Sequence, residues 1–205
     1  MHPLLGVLIA YLAGSIPFAY LAGRANRLDL REHGSGNLGA TNAMRVLGPR
    51  WGAVVYAGDT LKGMIPVIAL PPVVNASRLD LWAIAFGVAA IVGHVRPIFL
   101  MGQGGGKGVA TTGGVFFGLA WLPTLIAFLA FVAAVAITRR VSVGSLTAAV
   151  VLPSALIFEG GIADPLSLIC LVIAIFVIYL HRGNISRIRA GTEPRIGDRK
   201  EASAG

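Results

Sequence analysis

The sequence predicts an all-α integral membrane protein with about seven transmembrane helices. Hydrophobic residues make up 56% of the 205 residues, charged residues only 13%, and the mean hydropathy is +0.78. A soluble domain carries about 25% charged residues, because water must wet its surface. In addition, apolar runs of about 20 residues, the length that crosses a bilayer, alternate with arginine-rich connections.

The composition also excludes several classes of protein. Lys and Arg number 17 against 9 Asp and Glu, a net charge of +8. A basic chain can bind nucleic acid, but aromatic residues are only 8% and the chain is too apolar to present an exposed binding face. Cys170 is the single cysteine, which excludes an intrachain disulfide framework and a cysteine-based metal cluster. We therefore expect a lipid bilayer as partner, with no nucleic acid, metal ion or cofactor.

The first apolar run is Pro3–Gly23, long enough to cross a bilayer. A signal peptide is the alternative interpretation. It would carry basic residues before a shorter apolar stretch, whereas only His2 and the initial Met precede this run. We therefore expect a transmembrane helix that is retained in the protein.

Five further apolar runs follow, and the arginines between them are unevenly placed. The runs are Trp51–Val74, Leu81–Leu100, Val109–Thr138, Val143–Phe158 and Leu166–Leu180. Arginines concentrate in residues 24–50, at Arg139–Arg140 and beyond residue 181, while the connections at 71–80 and 159–164 hold one between them. Connections rich in Lys and Arg are normally cytoplasmic. The three basic regions are therefore predicted to lie in the cytoplasm.

The run Val109–Thr138 is thirty residues long, and the charge pattern decides how it crosses. If the Arg96–Lys107 region and Arg139 both face the cytoplasm, an even number of crossings must join them. Two short crossings that meet at Trp121–Pro123 satisfy this condition, because Pro suits a turn and Trp is enriched at the interface. The result is seven crossings, with the N-terminus outside and the C-terminus cytoplasmic. A five-crossing version, with a re-entrant or tilted segment here, stays open.

The chain is predicted to form one transmembrane domain, residues 1–191, followed by a tail. Residues 192–205 are polar and basic and lack an apolar period. Such a composition cannot bury enough apolar surface to order itself. We expect a flexible basic cytoplasmic tail.

The first glycine-rich segment (residues 34–45) is one of two candidate sites on the cytoplasmic side. Its closely spaced glycines permit a nest of backbone N–H groups, and its Ser, Asn and Thr side chains add further donors. Arg45 contributes positive charge. These features are typical of an anion-binding site at the start of a helix. A flexible loop before an N-capped helix is the alternative.

The second glycine-rich segment (residues 102–111) places three consecutive glycines before Lys107, which suggests a phosphate-binding loop. A Walker A loop would have Ser or Thr after the lysine, but Gly108 stands there and no strand precedes the segment. ATP or GTP is therefore disfavoured, while another phosphate group remains a good fit. A glycine hinge with a lysine that reaches to the interface is the alternative.

Asp59 and Lys62 are three residues apart and so share one face of a helix within the second run. Charged groups at membrane depth normally face the protein interior and are paired. We therefore prefer a structural ion pair to direct catalysis. His94 lies at the end of the third run beside a basic connection, where a structural and a catalytic role are equally compatible with the sequence.

Polar residues near two other helix ends complete the candidates. His181, Arg182 and Asn184 close the last run and could reach the cytoplasmic layer of the two segments, or could anchor the helix at the interface. Ser142 follows the Arg139–Arg140 turn, where a helix N-cap is the preferred interpretation from its position alone.

Familiar enzyme motifs are absent from the chain. There is no Gly-x-Ser-x-Gly and no His-Glu-x-x-His, and none of His33, His94 and His181 is followed by Asp five residues later. The polar segments supply donors and cations without an obvious nucleophile or strong base. This inventory favours chemistry on an already activated phosphate-bearing substrate, where binding and charge neutralisation do most of the catalysis.

Taken in order, the motifs match a known family over the chain up to about Gly191. They are residues 34–42 with Arg45, Asp59-x-x-Lys62-Gly63, Gly93-His94-x-x-Pro97 followed by residues 105–111, residues 142–147, and His181-Arg182-x-Asn184-Ile185-x-Arg187. The chain thereby resembles the PlsY family, the bacterial integral-membrane acyl-phosphate:glycerol-3-phosphate acyltransferases. One departure is Gln103 with an extra glycine before Gly105, which we interpret as local loop variation.

The resemblance implies transfer of a fatty acyl group from acyl phosphate to the 1-hydroxyl of glycerol-3-phosphate. The products would be 1-acyl-glycerol-3-phosphate (lysophosphatidate) and inorganic phosphate, in the first step of bacterial phospholipid synthesis. It also implies a seven-span fold in the plasma membrane, an active site that faces the cytoplasm, and no dedicated protein base. The oligomeric state does not follow from the sequence, and a monomer is favoured.

On this resemblance, we assign roles to the polar residues. The expected catalytic residues are Arg45, Lys107, His94 and Asn184. The expected substrate-binding residues are Ser35, Gly36, Asn37, Gly39, Thr41, Asn42, Gly105, Gly106, Thr111, Ser142 and His181. Asp59 and Lys62 are kept as a structural ion pair, and no metal site is expected.

The competing hypothesis is a transporter or channel for an anionic solute. Broken apolar segments, charged residues at membrane depth and glycine-rich loops would suit one. Against it, the polar motifs gather on one side of the membrane rather than at the midplane between two related halves.

Overall fold

The computed structural model of the chain describes residues 1–198, and every regular element in that range is a helix. The α-helices are α1 (Pro3–Gly14), α2 (Phe18–Ala25), α3 (Ala40–Leu47), α4 (Pro49–Ala69), α5 (Leu79–Val95), α6 (Val109–Leu119), α7 (Trp121–Thr138), α8 (Val141–Gly160), α9 (Pro165–Leu180) and α10 (Arg182–Arg189). Single 3₁₀ turns follow α4 and α5, at Pro71–Val73 and Ile98–Leu100. The predicted all-α class is confirmed for the described residues.

The chain divides into two compact units, and each is described by itself. The first is Met1–Thr124 and the second begins at Leu125. The sequence had suggested one domain over residues 1–191. The boundary falls near the start of α7, so α1 to α6 belong to the first unit and α8 to α10 to the second.

The first predicted span is broken in the structure. α1 ends at Gly14 and α2 begins at Phe18, so that Ser15–Pro17 forms a break inside the apolar run. Pro17 has no backbone N–H, which removes one helical hydrogen bond and explains why the helix does not continue. Taken together, Pro3–Ala25 is still long and apolar enough to cross a membrane.

The predicted division of the thirty-residue run is present, one residue earlier than expected. α6 ends at Leu119 and α7 begins at Trp121, with Ala120 between them. The two halves are unequal, because α6 has 11 residues and α7 has 18. α6 is thus shorter than the roughly 20 residues that normally cross a bilayer.

Five helical stretches in the described chain are long and apolar enough to cross a membrane, or six if the bent pair α9–α10 is counted. They are Pro3–Ala25, Pro49–Val73, Leu79–Leu100, Trp121–Thr138 and Val141–Gly160, with α9 and α10 meeting at 56°. Only by adding the short α6 does the count reach seven. The seventh crossing and the orientation in the membrane therefore stay predictions.

Glycines let the helices of the first unit approach closely. A Cβ on Gly14 would meet the backbone of Ala90 where α1 and α5 cross. A Cβ on Gly114 would meet the Thr60 carbonyl where α6 crosses α4. Small residues at such crossings allow the backbone contact that drives helix association in lipid. The two crossings hold α1, α4, α5 and α6 in place around the polar groups described below.

In the second unit, α8 packs against α9, and the chain after α10 returns to the start of α8. The Ile196 amide donates to the Arg139 carbonyl (2.7 Å), and Arg139 Nη2 donates to the Ile196 carbonyl (2.7 Å). The first part of the predicted flexible tail, residues 192–198, thus makes hydrogen bonds to the rest of the second unit. Residues 199–205 of that tail lie outside the described residues.

Candidate active site

The first glycine-rich segment is a turn that leads into α3, and Asn42 holds it together. Asn42 is 1% exposed. Its Oδ1 accepts from the Ser35 amide (2.9 Å), and its Nδ2 donates to the carbonyls of Leu30 (3.1 Å) and His33 (3.0 Å). Both amide hydrogens are therefore used. The structure departs here from the sequence expectation, since Asn42 fixes the loop and offers no free donor to a substrate.

The other polar groups of this segment remain accessible. Ser35 is exposed, and Asn37 and Thr41 are half-buried. Gly39 is the N-cap of α3 and brings no capping side chain, so the first N–H groups of the helix have no side-chain cap. Arg45, on the last turn of α3, is exposed and makes no ion pair within residues 1–198. This is the combination that can receive a phosphate group.

The second glycine-rich segment has an unusual backbone. Gly102, Gly104 and Gly108 have φ of +72°, +70° and +80°. L-residues with side chains rarely adopt this left-handed region, which explains the choice of glycine. Gly108 is also the N-cap of α6, and its carbonyl accepts from the Thr112 amide (2.7 Å). Lys107, half-buried, stands directly before this cap.

The two segments meet at Gly106. A Cβ on Gly106 would strike both the Leu38 carbonyl and the imidazole of His94. A Cβ on Gly105 would strike the carbonyls of His94 and Val95. The predicted glycines are therefore required for close backbone approach. They bring Lys107 and the first segment into one part of the first unit.

Asp59, Lys62 and His94 form a buried ion cluster beside this contact. Lys62 Nζ lies 2.7 Å from Asp59 Oδ1, and His94 Nδ1 lies 3.5 Å from the same oxygen. The three side chains are only 3–5% exposed. Lys62 Nζ also donates to the Ile16 carbonyl (2.8 Å) in the break between α1 and α2, and lies 5.6 Å from the centre of the Phe18 ring.

A narrow cleft connects the cluster to the glycines. Besides the three cluster residues, it is lined by Ser15–Phe18, Leu38, Pro97 and Gly104–Gly106. The cleft thus touches the helix break and both glycine-rich segments. Thr111, in contrast, is fully buried, and its carbonyl lies where a Cβ of Gly63 would be. Thr111 therefore packs in the α4–α6 crossing and is not among the residues that line the cleft, and its predicted contact with substrate stays a prediction.

A second ion pair shapes the chain before the first segment. Arg31 donates to both carboxylate oxygens of Asp29, with the shortest contact at 2.6 Å. This hydrogen bond from Arg31 holds the pKa of the Asp29 carboxyl below its usual value. The Arg31 guanidinium also lies 5.2 Å from the centre of the Tyr20 ring. Arg31 is thus already paired, unlike Arg45.

In the second unit, the polar candidates gather on Glu193. Asn184 Nδ2 donates to Glu193 Oε1 (2.6 Å), Arg187 Nε donates to Oε2 (2.7 Å), and Arg140 Nε donates to the Glu193 carbonyl (3.2 Å). Burial raises the pKa of Glu193, but the polar side chains around it, among them Asn184 and Arg187, which donate to the carboxylate, outweigh burial and leave the pKa below the usual value. Glu193, Asn184, Arg187 and Ser142 are named the Glu193 cluster below.

Sequence reasoning missed Glu193, because it was assigned to the tail. One signal could have found it: Glu193 is the only acidic residue between Asp164 and Asp198, in a stretch rich in arginine. A lone acid among cations is often their partner. Its position also means that the Asn184 amide and the Ser142 side chain, both predicted to serve a substrate, face a protein carboxylate.

His181 lies at the bend between α9 and α10 and is 3% exposed. Its Nδ1 is 2.8 Å from the Val177 carbonyl. A carbonyl only accepts, so Nδ1 carries a hydrogen and donates it to Val177.

The arrangement offers cations and backbone donors. Within residues 1–198, no group of three or more His, Cys, Asp or Glu side chains is placed to hold a metal ion. The acidic side chains at the centres of both clusters are occupied by protein cations. What the site can do chemically is to bind an anion and to stabilise charge that develops on it.

Comparison with known proteins identifies the relatives of this chain. Residues 4–191 match the family model of glycerol-3-phosphate acyltransferase. A glycerol-3-phosphate acyltransferase of Geobacter sulfurreducens is 45% identical over 198 residues, which cover 96% of this chain and 98% of the relative. One of Geobacter metallireducens is 50% identical over 187 residues, which cover 91% and 94%.

Two crystal structures have the same fold. Both are of PlsY, described as an integral membrane glycerol 3-phosphate acyltransferase. The glycerol 3-phosphate form is 38% identical with a TM-score of 0.87, over 95% of this chain and 96% of that one. The lysophosphatidic acid form is 37% identical with a TM-score of 0.81, over 94% of each chain.

Proposed function

The chain belongs to the glycerol-3-phosphate acyltransferase family, and we propose that it uses acyl phosphate as the acyl donor. The acyl group goes to the 1-hydroxyl of glycerol-3-phosphate, which gives lysophosphatidate and inorganic phosphate. The observation that carries the proposal is the contact of the two glycine-rich segments at Gly106, beside Lys107. Both substrates bear phosphate, and phosphate is the group that such backbone binds.

The two segments divide the work of binding. Left-handed glycines orient successive N–H groups into one concavity, where an anion replaces the water that would otherwise bind them. Arg45 offers a planar guanidinium that can grip two phosphate oxygens, and Lys107 offers a compact point charge. Ser35, Asn37 and Thr41, which are at least partly accessible, orient the bound groups.

The reaction then needs little from the protein beyond position and charge. The 1-hydroxyl oxygen of glycerol-3-phosphate attacks the acyl carbon, and a new C–O ester bond forms. The C–O bond to phosphate breaks, and its electron pair leaves with the phosphate. The hydroxyl proton passes to a phosphate oxygen of the substrates. Arg45 and Lys107 stabilise the negative charge that moves from the acyl carbonyl to the leaving phosphate.

The histidines do not need to act as bases in this scheme. His94 is buried with Nδ1 toward Asp59, and His181 donates to Val177, so neither is a freely solvated imidazole. His181, Asn184 and Ser142 of the second unit remain proposed substrate contacts, with Asn184 and Ser142 already placed around Glu193. Asn42 and Thr111, predicted from the sequence to bind substrate, are proposed instead to support the site from within the fold.

The acyl chain is proposed to lie against the apolar helices, and the polar segments to face the cytoplasm. Large hydrophobic side chains are exposed along the first unit, for example Leu61, Ile65 and Ile68 on α4. In a bilayer these side chains contact lipid tails, which are as apolar as the side chains themselves. The arginines of residues 24–50 support a cytoplasmic position of the first segment.

The test is phosphate release by the purified protein in detergent. Wild-type protein given acyl phosphate and glycerol-3-phosphate should release phosphate and form lysophosphatidate. A transporter would show nothing without a sealed vesicle, so the assay also separates the competing class. Acyl transfer from acyl-CoA releases no phosphate, so the two donors are compared by the amount of ester formed, which is measured after lipid extraction. Acyl-CoA should give no ester. An equal ester yield from acyl-CoA would contradict the proposal that acyl phosphate is the donor.

Two charge variants test the phosphate site. Arg45→Ala and Lys107→Ala should each lower kcat/KM by about 10²- to 10³-fold, because each removes a charged donor that stabilises the transition state. Arg50→Ala is the matched control, since Arg50 is an exposed arginine nearby at the start of α4. It should keep activity within about threefold of wild type. Full activity in Arg45→Ala or Lys107→Ala would refute the assignment.

A further inference from the structure

We propose that the buried ion cluster of Asp59, Lys62 and His94 is a positioning network that fixes the second glycine-rich segment, and with it Lys107, relative to the break between α1 and α2. The inference goes beyond charge neutralisation in the membrane, which the sequence alone suggested for Asp59 and Lys62. It rests on the proposed acyl transfer for its kinetic readout, but its structural readout does not.

Lys62 connects the cluster to the helix break. Its ammonium donates to the Ile16 carbonyl at 2.8 Å, within the stretch Ser15–Pro17 that separates α1 from α2. That carbonyl also accepts from the Phe18 amide (3.2 Å), the first residue of α2. A non-helical carbonyl at membrane depth must be paired within the protein. Lys62 thus pairs with the backbone at the point where the helix of the first span is interrupted.

Asp59 is the centre of the cluster. Its Oδ1 faces Lys62 Nζ at 2.7 Å and His94 Nδ1 at 3.5 Å. Asp59 and Lys62 lie one turn apart on α4, whereas His94 lies on the last turn of α5. A single carboxylate oxygen therefore joins two helices that come from distant parts of the sequence.

His94 connects the cluster to the glycines. A Cβ on Gly106 would strike its Nε2, and a Cβ on Gly105 would strike its carbonyl. The imidazole thus forms the surface on which the residue directly before Lys107 rests. A shift of His94 would move this surface and change the position of Lys107.

The three side chains are almost fully buried and are already paired with one another. Each is 3–5% exposed, so we assign them positioning roles and not catalytic ones. If the cluster only neutralised its own charges, an uncharged pair of similar shape would serve as well, because buried ion pairs can often be replaced by apolar groups without loss of stability. Charge neutralisation alone therefore predicts an active isosteric double variant, whereas a positioning role predicts a double variant with impaired substrate binding.

The first experiment uses the double variant Asp59→Asn/Lys62→Met, which removes both charges and keeps the approximate volume. We expect a melting temperature close to wild type and a KM for glycerol-3-phosphate or acyl phosphate raised at least tenfold, because the Ile16 carbonyl loses its donor. Thr124→Val is the matched control, since Thr124 is also buried (3% exposed) but bonds only within its own helix region, to the Ala120 carbonyl. A double variant with wild-type KM values and kcat would overturn the proposal.

A second variant covers the case in which the double variant does not fold. His94→Leu leaves the ion pair of Asp59 and Lys62 intact. A spin label on Gln103→Cys, an exposed position of the second segment, reports the mobility of that segment directly, in a Cys170→Ala background. We expect a more mobile label in His94→Leu than in wild type or in Thr124→Val. Equal mobility in all three proteins would overturn the network.

The two readouts separate this proposal from the proposed function. Wild-type protein that forms no ester from acyl phosphate would refute the donor assignment, while the spin label would still report whether His94 holds the segment. Active wild-type protein with unchanged KM values and kcat in the double variant would refute the network alone.

Discussion

Glu193 places one carboxylate among an amide, a hydroxyl and a guanidinium. Asn184 and Arg187 each donate to a different oxygen, at 2.6 and 2.7 Å. A hydrogen bond to a charged group contributes about 1.5–3 kcal/mol. Arg187 is 44% exposed, so water screens its share and the lower end applies to that pair. The side chain of Glu193 itself is 6% exposed, which makes its partners necessary.

This cluster predicts a pH dependence of stability. The pKa of Glu193 lies below its usual value of 4.5, so the unfolded chain takes up the proton first. The carboxylate therefore contributes stability that is complete above pH 4.5 and is lost as the pH falls through the folded pKa. In thermal unfolding in detergent, the melting temperature of wild type should exceed that of Glu193→Gln at pH 7, and the difference should shrink below pH 4.5.

The exposed acid Glu159 provides the control. Glu159→Gln should change the melting temperature little at any pH, because this side chain is exposed at the end of α8. A difference between wild type and Glu193→Gln that stays constant from pH 7 to about pH 3.5 would contradict a stabilising charge on Glu193.

Residue types at the site could be predicted from the sequence, but the directions of their side chains could not. Composition and spacing marked out Arg45 and the two glycine-rich segments, and their roles toward substrate stay predictions. Asn42 looked like a substrate donor until its hydrogen bonds to Leu30, His33 and Ser35 were seen. Those partners depend on how the turn folds back, which is a property of tertiary structure and leaves no periodic signal.

Among the elements, α4 and α6 cross with backbone close to backbone. Gly63 faces the Thr111 carbonyl, and Gly114 faces the Thr60 carbonyl. Each glycine thus lets the other helix place its backbone where a side chain would otherwise stand. Packing of this kind replaces the hydrophobic effect, which is weak between helices in lipid.

Two adjacent glycines of α6 allow a matched test of this crossing. A Cβ on Gly114 would strike the Thr60 carbonyl, whereas a Cβ on Gly113 would meet nothing within 4 Å. Gly114→Ala should therefore destabilise by about 1–3 kcal/mol through overpacking. Gly113→Ala should be neutral or stabilising by about 0.5–1 kcal/mol, because alanine is the better helix former. Melting temperatures in detergent measure both, and equal shifts would argue against the close crossing.

Apolar runs predicted the helices well, and the breaks within them less well. The division near Trp121 was expected, since Pro and Trp mark it in the sequence. The break at Ser15–Pro17 was not expected, because the stretch is short and uncharged and lies within one apolar run. In the structure, the Lys62 ammonium donates to the Ile16 carbonyl within this break.

For the whole molecule, the arginines that give the net charge of +8 fall into two groups. Some arginines are held by protein groups, as Arg187 is by Glu193 and Arg31 by Asp29. Others, among them Arg24, Arg27 and Arg50, lie in the connection that contains the first glycine-rich segment. Arginines in such a connection fix the orientation of a membrane protein and attract anionic headgroups. Orientation is thus a prediction that follows from charge and can be measured separately from activity.

Two exposed positions on either side of α4 test that orientation. Glu32 precedes the first segment and should be cytoplasmic, while Ser77 lies between α4 and α5 and should be outside. The natural Cys170 is 1% exposed, so it adds little background to cysteine labelling. A membrane-impermeant maleimide should label Ser77→Cys in intact spheroplasts, and Glu32→Cys only in inverted vesicles. The reverse pattern would invert the topology, and labelling of both from one side would mean that α4 does not cross.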